Sequence, residues 1–499
     1  MPSAASALRL SALILLAAPA VSLRAQQAAE PAAQPSATQA AGALTLEECV
    51  SRAMQKNFDL KIETFNVQNA GESLKIADAD FVPTFNASIS HSKSGGYTSG
   101  IDSKYTDSRA GVSQKFGSGA VFNLSTSLDR SANNNPLSSA SLNPAYNADL
   151  SLAVTQPLLR NFGTAANKAS QRRAAIGVTR AGLDYKGSVL DVINSVENAY
   201  FNLCYAREQL AVRTHGHTLA EKLLSEAKAR REYGVATDLD VLQAEVGVAT
   251  AQRSILLAEQ SVRDRQDALL ALIGQFELDS QLGAVSFPAQ TEATPSFDLS
   301  YKLARENQPD YLSTEAYLRQ LQIDTESAKR NRLPSLDLDS AVGYNTTEGS
   351  AGRALREIPG SDGYSWQVGL SFRMPWGLKA ENARYRSTLN SLSQGRTRLQ
   401  QLEQSLMVQV RAAVRSVHTN MESVQIAAKA TRLSERKFEM ETAKFSAGTS
   451  TARRVLEAKD DLENALVDEL QSKVALRVAL SALHRLEGSS LSQYRITLP

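Results

Sequence analysis

The sequence predicts an α+β membrane protein. Long antiparallel coiled-coil helices form a tunnel joined to a transmembrane β-barrel shared between copies, with two structural repeats per chain. Three observations predict it: a pair of matching turns far apart in the chain, very long helical stretches with a coiled-coil seam, and short alternating segments bounded by prolines.

The duplication is read directly. REYGVATDLDVLQAE (231–245) and FSAGTSTARRVLEAK (445–459) align at one constant offset, Gly234 with Gly448, Thr237 with Thr451, Val241-Leu242 with Val455-Leu456 and Ala244 with Ala458. Gly163 and Arg172 match Gly377 and Arg386 at the same offset. Upstream a larger constant offset pairs Ala53 with Ala304, Asp59 with Asp310, Ala77 with Ala328 and Pro83 with Pro334. The first copy therefore holds an insertion between Pro83 and Gly163.

Taken in order, residues 1–25 read as a cleaved secretory signal, with Arg9 ahead of the run LSALILLAAPAV and small residues at Ala18, Ala20 and Ala25. Residues 26–43 are a low-complexity, flexible lead-in. The first repeat spans 44–273: a half-length helix at 46–82, strands within 84–156, a long helix at 164–233 and a return helix at 238–273. Residues 274–297, marked by Gly274, Gly283, Pro288 and Pro295, form an irregular equatorial connection. The second repeat spans 298–486: half-length helix 298–332, strands within 335–374, long helix 378–447 and return helix 452–486. A tail of 487–499 follows.

Val189, Ile193, Val196, Tyr200, Leu203 and Leu210 form an a/d seam. A helix of about 70 residues is about 105 Å long, and two half-length helices stacked end to end match it. Between the helices, Trp366, Val368, Leu370, Phe372 and Met374 alternate with polar residues. Leu150, Leu152 and Val154 alternate with Asp149, Ser151 and Thr155, and Phe85, Ala87 and Ile89 with Thr84, Asn86 and Ser88. Leu336 and Leu338 alternate with Ser335, Asp337 and Asp339. Segments of about ten residues, apolar on one face and polar on the other, suit tilted strands of a water-filled barrel. About four strands per chain cannot close alone in lipid, so several copies must share one barrel. A further hairpin is legible at 111–130 around Gly117-Ser118-Gly119, either enlarging the barrel or decorating a surface loop. Pro83, Pro157, Pro334 and Pro375 mark the strand–helix junctions, since proline neither continues a helix nor donates to a central ladder.

Several function classes are disfavoured. With 54 basic and 52 acidic residues the chain lacks the charge of a nucleic-acid-coating surface. It has no glycine-rich phosphate loop and no Gly-x-Ser-x-Gly elbow, and of five histidines only His215 and His217 lie close, on diverging helix faces. No enzyme activity, cofactor or metal is expected. Cys49 and Cys204 read as small helix-packing residues, with a disulfide between them as the alternative in an oxidising compartment.

The opening LTLEECVSRAMQKNFDL, the exit at Pro83, the junction TQPLLRNFG and both Gly-x-x-Thr turns resemble the TolC-like outer-membrane factor family, over about residues 44–487. The resemblance implies a homotrimer with a 12-stranded barrel in the outer membrane and a helical tunnel in the periplasm. It implies a passive exit duct of a tripartite efflux pump or type I secretion system, docked through a periplasmic adaptor protein to an inner-membrane transporter. The turns Gly234, Val235, Ala236, Thr237 and Gly448, Thr449, Ser450, Thr451 then become periplasmic tips for adaptor docking. Asp238, Asp240, Phe445, Arg453, Arg454 and Glu457 become aperture candidates, with Arg454, and Arg453 beside it, expected to pair with Asp240 or Asp238 of a neighbouring hairpin. The resemblance also implies acids at positions 454 and 457, of which only Glu457 is acidic. The rival reading is a periplasmic coiled-coil adaptor or structural protein without a pore, which would carry one hairpin rather than two.

Overall fold

The computed structural model describes residues 44–95, 101–134, 142–274, 283–288, 294–360 and 363–497. The signal at 1–25, the lead-in at 26–43 and much of the equatorial connection lie outside them. In chain order the elements are α1 (Leu46–Lys56), α2 (Phe58–Ala79), β1 (Thr84–Gly95), β2 (Asp102–Lys115), β3 (Val121–Asn133), β4 (Ala145–Pro157), the single turn α3 (Thr164–Asn167), α4 (Ala169–Glu232) and α5 (Asp238–Leu272). The second copy continues with α6 (Phe297–Asn307), α7 (Pro309–Asn331), β5 (Ser335–Glu348), α8 (Ala351–Glu357), β6 (Tyr364–Arg373), α9 (Lys379–Ser446) and α10 (Ala452–Glu487), and ends with α11 (Ser490–Gln493).

The half-length helices are not continuous, contrary to the expectation of single helices at 46–82 and 298–332. Asn57 takes an extended conformation, and its side chain accepts the N–H groups of Asp59 and Leu60 while donating to the Leu272 carbonyl at 3.0 Å. Its oxygen thus restarts the helix as an N-cap. At the equivalent point of the second copy Gln308 caps Tyr311 N–H at 2.9 Å, and Pro309 holds the residue before it out of the helical region.

The long helices α4 and α9 end alike. Gly234 and Gly448 have φ of 72° and 77°, a region open to glycine at little cost. Val235 N–H bonds the Arg230 carbonyl and Gly234 N–H that of Arg231, a Schellman closure, and Thr449 and Gly448 repeat it on Lys444 and Phe445.

The seam residues Val189, Ile193, Val196, Tyr200 and Leu203 are buried in one core with α1, the end of α5 and Val474 of α10. Tyr200 donates to the carbonyls of Leu44 (3.1 Å) and Ser286 (3.0 Å), tying the equatorial strip to α4. Burial pushes its hydroxyl up to about 12. Val410, Val414 and Val417 of α9 build a second core with Leu476 and Leu483 of α10. The C-terminal segment docks on the first core, Tyr494 Oη donating to buried Glu197 of α4 at 2.6 Å.

Cys49 and Cys204 are free and buried in the first core, and burial pushes both thiols up to about 12. Thiolate is the reactive form, so neither should react with iodoacetamide at pH 8 until the protein is denatured. Mass spectrometry of the alkylated protein checks this.

The strands make one antiparallel sheet in the order β1-β2-β3-β4-β5-β6. The expectation of about four strands is corrected to six. The 111–130 hairpin turns at Gly119 (φ 97°) and pairs on both sides, β2 with β1 and β3 with β4. It is part of the sheet wall.

Candidate functional site

The tips are built by local hydrogen bonding. Thr237 and Asp240 form a capping box: Thr237 Oγ1 accepts Asp240 N–H, and Asp240 Oδ2 accepts Thr237 N–H (2.9 Å) and its hydroxyl (2.7 Å). These bonds, the backbone one foremost, hold the Asp240 carboxyl below the ordinary range. Asp238 pairs with Arg231 at 2.6 Å, and Arg453 with Glu457 at 2.9 Å, one turn along α10. Within the chain, then, both acids and Arg453 are engaged locally, and no ion pair joins Arg454 to Asp238 or Asp240. Among the described residues Arg454 makes no ion pair; its charge acts on Glu441, whose carboxyl is lowered chiefly by bonds from Lys444 and Ser450.

Phe445 does not face an aperture within the chain. It is 6% exposed, packed on Leu223, Ala452 and Val455, with the Arg230 guanidinium 4.0 Å from its ring centroid. An aromatic at a seam position is worth more against the neighbouring hairpin than in water, and here it ties the end of α9 to α4. The exposed apolar groups of the first tip are instead Tyr233, Val235, Leu239 and Leu242. The sequence reading did not single out Tyr233 and Leu239, whose signal is an apolar residue on each side of the Gly-x-x-Thr turn.

Above the tips an ionic clamp joins the hairpins. Arg213 of α4 binds Glu463 of α10 at 2.9 Å, and buried Lys459 binds the same carboxylate at 2.6 Å. Gly216 makes room: a Cβ there would lie 1.8 Å from Glu463 Oε1. The sequence pointed to Gly216 only as the spacer between two histidines.

The sheet has two unlike faces. A single cross-strand row runs Phe85, Val112, Leu124, Leu152, Val342 and Trp366, all exposed. The adjoining row on the opposite face runs Asn86, Gly111, Ser125, Ser151, Gly343 and Ser365. At the junctions Pro157 is the last residue of β4, Leu158 N–H bonds the Leu336 carbonyl at 2.7 Å and Arg160 N–H that of Pro334 at 3.3 Å. Pro83 and Pro334 lie just before β1 and β5, and Pro375 lies after β6, followed by fully exposed Trp376 and by Gly377 at φ 75°. Among the described residues no helix is long and apolar enough to cross a membrane.

Residues 121–275 and 300–489 match the family described as outer membrane efflux protein, one segment in each repeat and together well over half the chain. The chain belongs to the outer membrane efflux protein family. Outer membrane efflux proteins are passive channels rather than enzymes, and this one is an outer-membrane channel protein. It is 24% identical over 333 residues to the outer membrane protein TolC of Vibrio cholerae, covering 65% of this chain and 73% of that protein. It is 24% identical over 308 residues to the pyoverdine export outer membrane protein OpmQ of Pseudomonas aeruginosa, covering 60% of this chain and 56% of OpmQ. Among solved structures, the outer-membrane channel OprN superposes with a TM-score of 0.68 over 89% of each chain at 18% identity, a likeness of fold.

Proposed function

We propose that three copies assemble into a duct across the outer membrane and periplasm, the passive exit of a tripartite efflux pump or a type I secretion system. The observation that carries this is the apolar row crossing all six strands. A sheet with one apolar and one polar face suits a wall between lipid and water, and the free edges of β1 and β6 must be paired in lipid. Three sheets of six strands close eighteen, where the resemblance implied twelve. Exposed apolar residues on α5 (Val246, Leu256, Leu257) and on α9 (Val408, Ile426, Leu433) supply two flanks for neighbouring copies. Residues 1–25 act as the export signal. The tips 234–237 and 448–451 dock a periplasmic adaptor that brings an inner-membrane transporter. Arg454 is the tip cation that pairs across copies.

Mass measurement in detergent should give a trimer that migrates differently on a gel before and after boiling. A folded monomer overturns the reading. Arg454→Asp should raise single-channel conductance in planar bilayers; unchanged conductance removes Arg454 from the aperture. The two tryptophans test where the membrane lies: Trp366 ends the apolar row on β6 and Trp376 sits at the strand–helix boundary, so brominated acyl chains should quench Trp366 and headgroup-level quenchers Trp376, read in single-tryptophan variants.

A further inference from the structure

The apolar face of the sheet ends in cations at the side remote from the tunnel helices. On that face β3 runs Phe122, Leu124, Thr126, Leu128 and then Arg130, which lies opposite Tyr146 of β4 and Thr106 of β2. One step further, on the same face of β2, is Lys104. Helix α8 packs against this same face: Ala354 and Ile358 cover Ala148, with Leu128 and Tyr146 beside them. The helix therefore lies on the outside of the wall rather than over the lumen. Its Arg353 and Arg356 are exposed, and Leu355 between them is 38% exposed.

Arg130 Nε donates to Tyr146 Oη at 3.2 Å, and Arg353 Nε to Ser350 Oγ at 3.3 Å. Among the described residues none of Lys104, Arg130, Arg353 and Arg356 makes an ion pair; the described acids on this side of the rim are Glu348, Glu357 and Asp102, the last taken by Lys93 at 2.8 Å, while Asp107 and Asp129 lie at the same level on the opposite face. Cations on a lipid-facing surface are costly at the bilayer midplane and nearly free at its boundary. Their level marks where headgroups begin. Several guanidinium groups around one short helix match phosphate oxygens, which arginine binds with paired N–H donors.

We propose that Arg130, Arg353 and Arg356, with Lys104, bind the phosphates of an outer-leaflet glycolipid, with Leu355 against its acyl chains. This rests on the barrel reading, which puts the end remote from the periplasmic helices in the outer leaflet. The site would fix the rim of the barrel to its surrounding lipid.

The test uses the full-length protein in detergent, with diphosphoryl lipid A as the probe and native mass spectrometry as the readout. The double variant Arg353→Glu/Arg356→Glu should bind it about tenfold more weakly, and wild type should prefer it to the dephosphorylated glycolipid and to phosphatidylglycerol. Arg353→Gln/Arg356→Gln serves if the reversal misfolds, and should weaken binding in the same direction. Equal binding by wild type and variants overturns the proposal, as does equal binding of the dephosphorylated glycolipid, or of phosphatidylglycerol, by wild type. Heat-modifiable migration separates the two failures: if wild type keeps it, only the lipid site fails; if wild type lacks it, the barrel reading fails as well.

Discussion

Leu152→Arg should abolish assembly in the membrane, while Ser151→Arg, one residue away, should fold and change conductance. Leu152 sits in the middle of the apolar row, between Leu124 and Val342, and Ser151 in the middle of the polar row, between Ser125 and Gly343. An arginine on a lipid face near the midplane costs about 2–4 kcal/mol, whereas on the lumen face it stays hydrated. Three copies would carry the cost three times. Outer-membrane yield and heat-modifiable migration measure the first effect, and single-channel current the second. If both variants assemble equally well, the face assignment is wrong. If Ser151→Arg is the one lost, the sheet is inside out.

The second large effect is expected at Gly216. Alanine there would put its Cβ within van der Waals overlap of the Glu463 carboxylate, which Arg213 and Lys459 hold in place. The carboxylate must move, leaving Lys459, 7% exposed on its side chain, with only the longer contact to Asp460 at 3.2 Å. Breaking one member out of a buried ionic group costs about 3–5 kcal/mol, and the open groove alongside, lined by Leu242, Val246 and Leu456, offers the carboxylate a partial escape. With Asp460 still on Lys459, and alanine the better helix former by about 1 kcal/mol, a net loss of about 2 kcal/mol is expected for Gly216→Ala. Glu463→Gln should cost a similar amount, and the double variant little more than either, because both remove the same contact. Chemical denaturation of the detergent-solubilised protein measures all three. Additive losses would mean that the glycine acts elsewhere.

Features that depend on neighbours in sequence were legible before the structure. Gly234 followed by Thr237 spells a left-handed helix end and a new cap within four residues, and the same local chemistry repeats at Gly448 and Thr451. Strand faces were legible because period-two alternation fixes them. The strand count was not, since alternation says nothing about which strands are neighbours; only the pairing of β2 with β1 and of β3 with β4 brings the inserted hairpin into the wall. The break at Asn57 was hidden because an asparagine inside a helical pattern looks the same whether it caps or merely points to solvent. The clamp at Glu463 joins residues 250 positions apart, which no local pattern can relate. Phe445 was placed by its nearness to a tip in sequence, whereas its contact with Leu223 comes from the other copy of the repeat.

The two tips share a backbone and differ in their side chains. Both close with the same pair of bonds to the preceding helix, yet one displays Tyr233 and Val235 and the other Thr449, Arg453 and Arg454. Such a pair separates two kinds of partner by counting alone. A binder that grips the shared turn backbone finds two equal seats on every chain. A binder that reads side chains finds one, and the binding ratio tells which kind it is.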